Sequence, residues 1–289
     1  MLCFRFSSMP LDQERPRVVL EKLNRNLSKL ANKPTPDNIH QFRTYSRRLQ
    51  ALLEELAREL GKNDKKLHKL VSRLRRRAGR LRDFDVQIAA LRTLKIHDKD
   101  GRKAQLLRAL SEARAKREKK LLKAFDEDTV GELRKRLKRT ARSVEIRQDA
   151  DPLALAMQVF AREAQDRSPL TEDRLHQYRL TGKRVRYLVE FAASTPEAEA
   201  IIEQLKRMQD ALGDWHDWLT LTQNAEKRLG EAQDCALLVA LRNLTRAKFR
   251  RAVEVVMQTR TALAGKPSQT EAPRRTPTAA AEAARAAIA

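Results

Sequence analysis

Apolar residues recur along most of this chain at steps of three and four. Leu67, Leu70, Val71, Leu74, Ala78 and Leu81 form one such series, and Leu133, Leu137 and Thr140/Ala141 another. That spacing returns side chains to one face of an α-helix, whereas strands require strict alternation, for which there is no comparable signal. No proline falls between Pro36 and Pro152, a stretch dense in Ala, Leu, Lys, Arg and Glu, the good helix formers. The pattern predicts an all-α protein of roughly eight to ten helices between about Leu11 and Ala264. Thr35 and Asp37 flank Pro36 ahead of a helix to about Leu60, stopped by Gly61, and Asn63 or Asp64 opens the next. Ser168 and Pro169 precede a helix from about Thr171 to Ala193, and Thr195 with Pro196 begins one toward Leu212. Residues 1–10 are expected to be a flexible start. The helical domain then covers 11–264 as halves of about 11–150 and 151–264, and the Pro/Ala-rich segment 265–289 reads as a disordered tail.

The halves follow from a duplication. His40-Gln41-Phe42-Arg43 returns as His176-Gln177-Tyr178-Arg179, and the match continues with Arg47 and Arg48 on Lys183 and Arg184, Leu49 on Val185, Leu52 on Leu188 and Glu54 on Glu190. Further on, Gly79, Asp83 and Phe84 return as Gly213, Asp217 and Trp218, so a two-helix unit is repeated. With His40 at zero and about 100° per residue, Arg43, Arg47 and Gln50 fall at about 300°, 340° and 280°. Phe42, Leu49, Leu52, Leu53 and Leu56 cluster between about 120° and 220° on the same wheel. The basic stripe therefore lies opposite the core. In the second copy His176, Arg179, Lys183 and Arg186 take the stripe positions, while Tyr178, Val185, Leu188, Val189 and Ala192 take the apolar ones.

An ordinary solvated face mixes charge signs for local pairing, but each of these stripes opens with a histidine and places only cations over the next two turns. Such self-repulsion lowers stability unless an anion offsets it. Further cations come from Arg73, Arg76, Arg77, Arg80 and Arg82 after the first stripe, and from Lys206 and Arg207 after the second. Across the chain 61 Lys and Arg face 38 Asp and Glu, a net charge of +23, and residues 61–150 hold 29 basic against 13 acidic residues. A polyanion is the implied partner, with arginine supplying bidentate phosphate donors and lysine mobile point charge. Neighbouring cations disfavour imidazolium, so His40 and His176 are expected to be mostly neutral near pH 7 in the free protein. An apolar content of 41% suffices for a core. No apolar run spans a membrane, no secretory signal is recognisable, and Cys3 with Cys235 makes no disulfide framework, so a cytoplasmic location is expected.

The paired segments IHQFRTYSRRLQALLEEL with AGRLRDFDVQIAAL, and LHQYRLTGKRVRYLVEFA with LKRMQDALGDWHDWLTL, resemble the CHAD domain, the conserved-histidine α-helical domain. The resemblance runs from about Leu11 to about Met257. It implies two helical bundles related by pseudo-twofold symmetry, with a basic groove or channel between them. It also implies binding of inorganic polyphosphate at granules rather than catalysis, here in a stand-alone form with no triphosphatase-type domain ahead of it. The family's histidines map onto His40 and His176, and its following basic residues onto Arg43, Arg47, Arg48, Arg179, Lys183, Arg184 and Arg186. One position departs: Arg82-Asp83-Phe84-Asp85 has His216-Asp217-Trp218-Leu219 as its counterpart, so the second acid is missing from the second copy.

Three rival readings meet physical objections. A metal site could draw on His40, His176, His216, Asp83, Asp85 and Asp217, but no HxxxH or HExxH pair is present and cationic surroundings repel a divalent ion. Asp83 and Asp217 are better read as partners holding arginines in place. Nucleic acid, the second choice of partner, suits the charge, yet single-strand recognition wants stacking platforms, and Phe42, Tyr178 and Trp218 fall at apolar-face positions. A phosphate-processing enzyme, metal-dependent or otherwise, lacks a Gly-rich phosphate loop or a recognisable nucleophile, so neither catalysis nor a cofactor is expected.

Overall fold

The structure, a computed structural model, describes residues 10–147, 149–230 and 235–263. The expected disordered tail at 265–289 lies outside the described residues. So does the expected flexible start at 1–10 except for Pro10, whose carbonyl accepts the Ala193 N–H at 3.0 Å.

The described chain is all-α. Its helices are α1 (Arg15–Asn32), α2 (Pro36–Ala51), α3 (Lys62–Thr93), α4 (Arg102–Leu122), α5 (Glu127–Ser143), α6 (Pro152–Gln165), α7 (Glu172–Val189), α8 (Pro196–Leu229) and α9 (Ala236–Leu263). Extended pairing among the described residues is confined to isolated bridges, Leu11 with Ala192 and Ala57 with Ile146. Several start signals act as read: the hydroxyls of Thr35, Thr171 and Thr195 accept the N–H groups of Asn38, Arg174 and Ala198, satisfying donors a helix start leaves open.

Some boundaries move. The helix expected to reach Leu60 stops being α-helical at Ala51, continues as a π turn over Leu52–Leu56, and gives way to extended chain at Ala57. Its backbone is taken over there by segment 145–147: Arg58 N–H donates to Glu145 and Arg147 N–H to Leu56. Gly61 is therefore the N-cap of α3, and the Asp64 carboxylate accepts its N–H at 3.1 Å. Helix α7 ends at Val189 rather than Ala193, because the chain from Phe191 to Ala193 bonds back to segment 10–12. Helix α8 runs straight through Gly213 to Leu229, far beyond Leu212. It ends at Gly230, whose φ of +70° is a conformation that residues with a Cβ seldom adopt.

Helix α2 packs on α1 and α3, α4 and α5 pack on α3, α7 packs on α6 and α8, and α9 packs on α8. The repeated helices also meet each other, α2 against α7 and α3 against α8. The large apolar cluster is shared between the halves and includes Leu23, Phe42, Leu74, Phe160, Tyr178, Leu205 and Trp215. A smaller one gathers Ile88, Leu91, Leu106, Leu110, Trp218, Leu221 and Leu241 where the ends of α3 and α8 meet α4 and α9. Burial of these apolar side chains, at about 25 cal/mol per Å² of apolar surface, works against the self-repulsion of a chain so strongly cationic. Among the described residues no helix is long and apolar enough to cross a membrane.

Candidate functional site

Each repeated helix presents its apolar face to the core and leaves its other face to its neighbours. Ile39, Phe42 and Leu49 of α2, and Leu175, Tyr178 and Val185 of α7, are fully buried. The opposite faces do not simply look outward, as a stripe opposite the core suggests. Because α2 packs against α7, their stripes meet, and Arg43, Arg47, Arg179 and Lys183 are half-buried. Arg43 and Arg47 act electrostatically on Arg179 and Lys183, while α3 contributes Arg75 and Arg82 and α8 contributes His216 and Asp217. Gly79 of α3 faces Arg43, and a Cβ there would meet Nε of Arg43 at 3.7 Å, an ordinary van der Waals contact.

Burial raises the cost of every charge in the cluster. It lowers the pKa of Arg43 and of Arg179, and it takes Arg75 to about 10 with help from Arg47 and Arg43. The guanidiniums stay charged, so these shifts express the repulsion and desolvation of crowded cations. Lys183 gives way more readily: burial, then Arg179, Arg47 and Arg43, bring its pKa down to about 6. Burial pushes Asp217 up to about 6 and also raises Asp83, against the pull of the surrounding cations. Asp83 is exposed at its side chain's edge, so it is raised less than Asp217 is, and Arg43, Arg179, Lys183 and Arg47 pull the other way. Among the described residues neither acid makes an ion pair, so each acts as a nearby counter-charge rather than as the salt-bridge partner read from the sequence. The six basic side chains Arg43, Arg47, Arg75, Arg82, Arg179 and Lys183 likewise make no side-chain hydrogen bond there, and Nε of Arg179 is buried without a partner. Toward one end Arg47, Arg75 and Lys183 open into a cleft of about 300 Å³ that Tyr187, Glu54 and Glu55 also line.

The histidines stand at the margins. His40 is exposed, and its pKa is lowered by the partial burial of the imidazole, then by Arg82 and Arg43. The ring of His176 lies 5.6 Å from that of His216, whose pKa burial, Arg179, His176 and Lys183 bring down to about 4. Among the described residues no three His, Cys, Asp or Glu side chains gather as metal ligands.

Other residues singled out in the sequence lie elsewhere. Arg48 donates to Glu190 at 2.7 Å and Arg184 to Glu55 at 2.6 Å, two bonds that tie the first repeat to the second. Arg186 lies 3.5 Å from Glu190 and over the ring of Tyr187. Lys206 and Arg207 are exposed on α8, with Lys206 near Glu203. Arg73, Arg76, Arg77 and Arg80 are exposed on α3, and Arg77 with Arg80 faces α4. Arg75, absent from the sequence-derived set, was legible: it precedes Arg82 by seven residues and so shares its face. Asp85 accepts from Arg114 of α4 at 2.6 Å, so its replacement by Leu219 in the second copy alters a helix contact rather than the cluster.

The sequence pattern of the CHAD domain matches residues 17–226. The chain belongs to the CHAD domain family. The crystal structure of the CHAD domain from the plant Ricinus communis resembles it with a TM-score of 0.67 at 19% identity, over 92% of this chain and 96% of that one. PptA from Streptomyces chartreusis gives a TM-score of 0.60 at 15% identity, over 88% of this chain and 99% of that one. At such identities the likeness speaks for the fold. No curated protein matches the chain. In this CHAD domain the cationic cluster is built by the two pairs of helices that carry the repeated segments.

Proposed function

We propose that this CHAD domain binds inorganic polyphosphate without catalysis, holding it between α2, α7 and the adjoining faces of α3 and α8. The observation that carries the reading is that Arg43, Arg47, Arg75, Arg82, Arg179 and Lys183 are crowded together without hydrogen-bond partners among the described residues. A fold that concentrates uncompensated cations in this way is stabilised when a polyanion supplies the missing charge. Membership of the family agrees with this reading. Phe42, Tyr178 and Trp218 are buried, and Tyr187, which lines the cleft, is itself buried and covered by Arg186, so the site offers little to stack a base on, which favours a polyanion without bases over single-stranded nucleic acid. In the cell this reading places the protein in the cytoplasm, at polyphosphate granules.

The test is side-by-side titration of the purified protein with long-chain polyphosphate and with single-stranded DNA across a range of salt. Polyphosphate should bind more tightly at physiological salt, with log affinity falling steeply as log salt rises, by the counterion-release argument. Arg43→Ala with Arg179→Ala should weaken polyphosphate binding by about tenfold or more, since each removes a charge-assisted donor. Tighter binding to DNA, or an unaffected double variant, would overturn the reading.

A further inference from the structure

Another concentration of unpaired cations among the described residues lies away from this cluster. Arg77 and Arg80 of α3 and Arg117, Lys120 and Lys123 of α4 line an open cleft of about 370 Å³, with Leu121 as the other lining residue. None of the five basic side chains makes an ion pair or hydrogen bond among the described residues, and no acid lines the cleft. On α3, Arg77 and Arg80 stand at about 200° and 140° from Arg75, whereas Arg82 stands at about 340°. The cleft therefore opens on the side of α3 turned away from the central cluster.

The fold does not require this charge. Farther along the same pair of helices Arg114 is neutralised by Asp85 at 2.6 Å and Glu118 at 2.8 Å. The second repeat goes further. Asp83 falls on Asp217, an offset of 134, and the same offset carries Arg77 to Ala211 and Arg80 to Asp214. Helix α9 packs on α8 as α4 packs on α3, and there Lys248 pairs with Asp214 at 2.7 Å. One helix pair is thus closed by an ion pair at the position where the other sets arginine beside arginine. That arrangement raises the energy of the free protein and is relieved only by an anion.

We propose that the α3–α4 cleft is a second polyphosphate site, which takes a further segment of a chain already held in the central cluster. The inference rests on the polyphosphate reading above. No aromatic side chain lines the cleft, so it offers phosphate contacts and nothing for a base. A chain that reaches both sites must pass around α3, a helix about 10–12 Å across with its side chains. Tripolyphosphate occupies one site at a time, while a long chain engages both and gains from the high effective concentration of its second segment.

The experiment compares tripolyphosphate with long-chain polyphosphate on three proteins: the unaltered chain, Arg77→Gln/Arg117→Gln/Lys120→Gln, and Lys135→Gln/Lys138→Gln/Arg139→Gln. The last removes the same charge from exposed positions of α5. The cleft variant should bind the long chain about tenfold more weakly than the control variant does. The tighter tripolyphosphate site, the one removed by Arg43→Ala with Arg179→Ala, should be unchanged. A cleft variant that behaves like the α5 control, or that weakens both ligands equally, overturns the second site and leaves the first standing. Failure of the unaltered protein to bind either ligand overturns both.

Discussion

On the polyphosphate reading proposed above, Lys183 is the residue at which binding and protonation meet. Its pKa of about 6 in the free protein comes from burial first and then from Arg179, Arg47 and Arg43, so at pH 7 most of the population lacks that proton. A bound polyanion reverses the local field and raises the pKa, and binding therefore takes up protons near neutrality. The resulting gain in affinity is fully present below about pH 6, the free-state pKa, and is lost as pH rises through the higher bound-state value. Lys183→Gln should flatten the affinity profile between about pH 6 and 8, and should remove most of the dependence of binding enthalpy on buffer ionisation at pH 7. If both persist in the variant, the proton is taken up elsewhere in the cluster, with Asp217, raised to about 6, and His40 as the groups left to do so. Asp83 and Asp217 act in the opposite sense, as counter-charges the ligand must face. Asp83→Asn with Asp217→Asn should tighten polyphosphate binding by about tenfold, and because burial holds both carboxyls above their ordinary pKa, so that their ionised forms are disfavoured in the fold, the free variant should melt no lower than the parent at pH 7. Weaker binding in that variant would make the two acids part of the site's support rather than its opposition.

At the level of elements, the decisive feature is that α2 and α7 hold their cationic stripes together by two bonds at the edge of the cluster. Arg48 with Glu190, whose side chains are only 24% and 19% exposed, and Arg184 with Glu55 offset part of the repulsion between the helices. Removing Arg48 leaves the partly buried Glu190 with the longer contact to Arg186 at 3.5 Å, at a cost of about 1–3 kcal/mol. Arg48→Met should therefore lower the melting temperature by several degrees, and should reduce polyphosphate affinity less than Arg43→Ala does. A variant that melts like the parent would mean that the pair contributes nothing to holding α2 against α7. Helix α3 has a double role: Arg75 and Arg82 belong to the central cluster, and Arg77 with Arg80 belongs to the cleft shared with α4. One run of arginines therefore divides between two surfaces.

For the molecule as a whole, a net charge of +23 makes stability depend on what surrounds it. Moderate salt should raise the melting temperature by screening self-repulsion, and polyphosphate should raise it further at the same ionic strength if the folded cluster binds it more tightly than the unfolded chain does. Equal stabilisation by salt and by polyphosphate at matched ionic strength, followed in thermal melts, would indicate screening without a built site.

The sequence by itself determined what depends on near neighbours: the helical period, the threonine caps, the apolar faces of α2 and α7, and the repeat that places a histidine and following cations at matching positions. These are set within one or two turns of backbone, where spacing alone decides which side chains share a face. It did not determine which cations stay unpaired. Arg43 and Arg48 lie five residues apart on one helix, yet one is crowded by Arg47 and Arg82 while the other is closed by Glu190, 142 positions away. Arg82 and Arg80 are two residues apart and face different surfaces. Such differences follow from the packing of α2 on α7 and of α4 on α3. The strength of a charge interaction depends on distance and on solvent exclusion, and both are fixed only when helices distant in sequence come into contact.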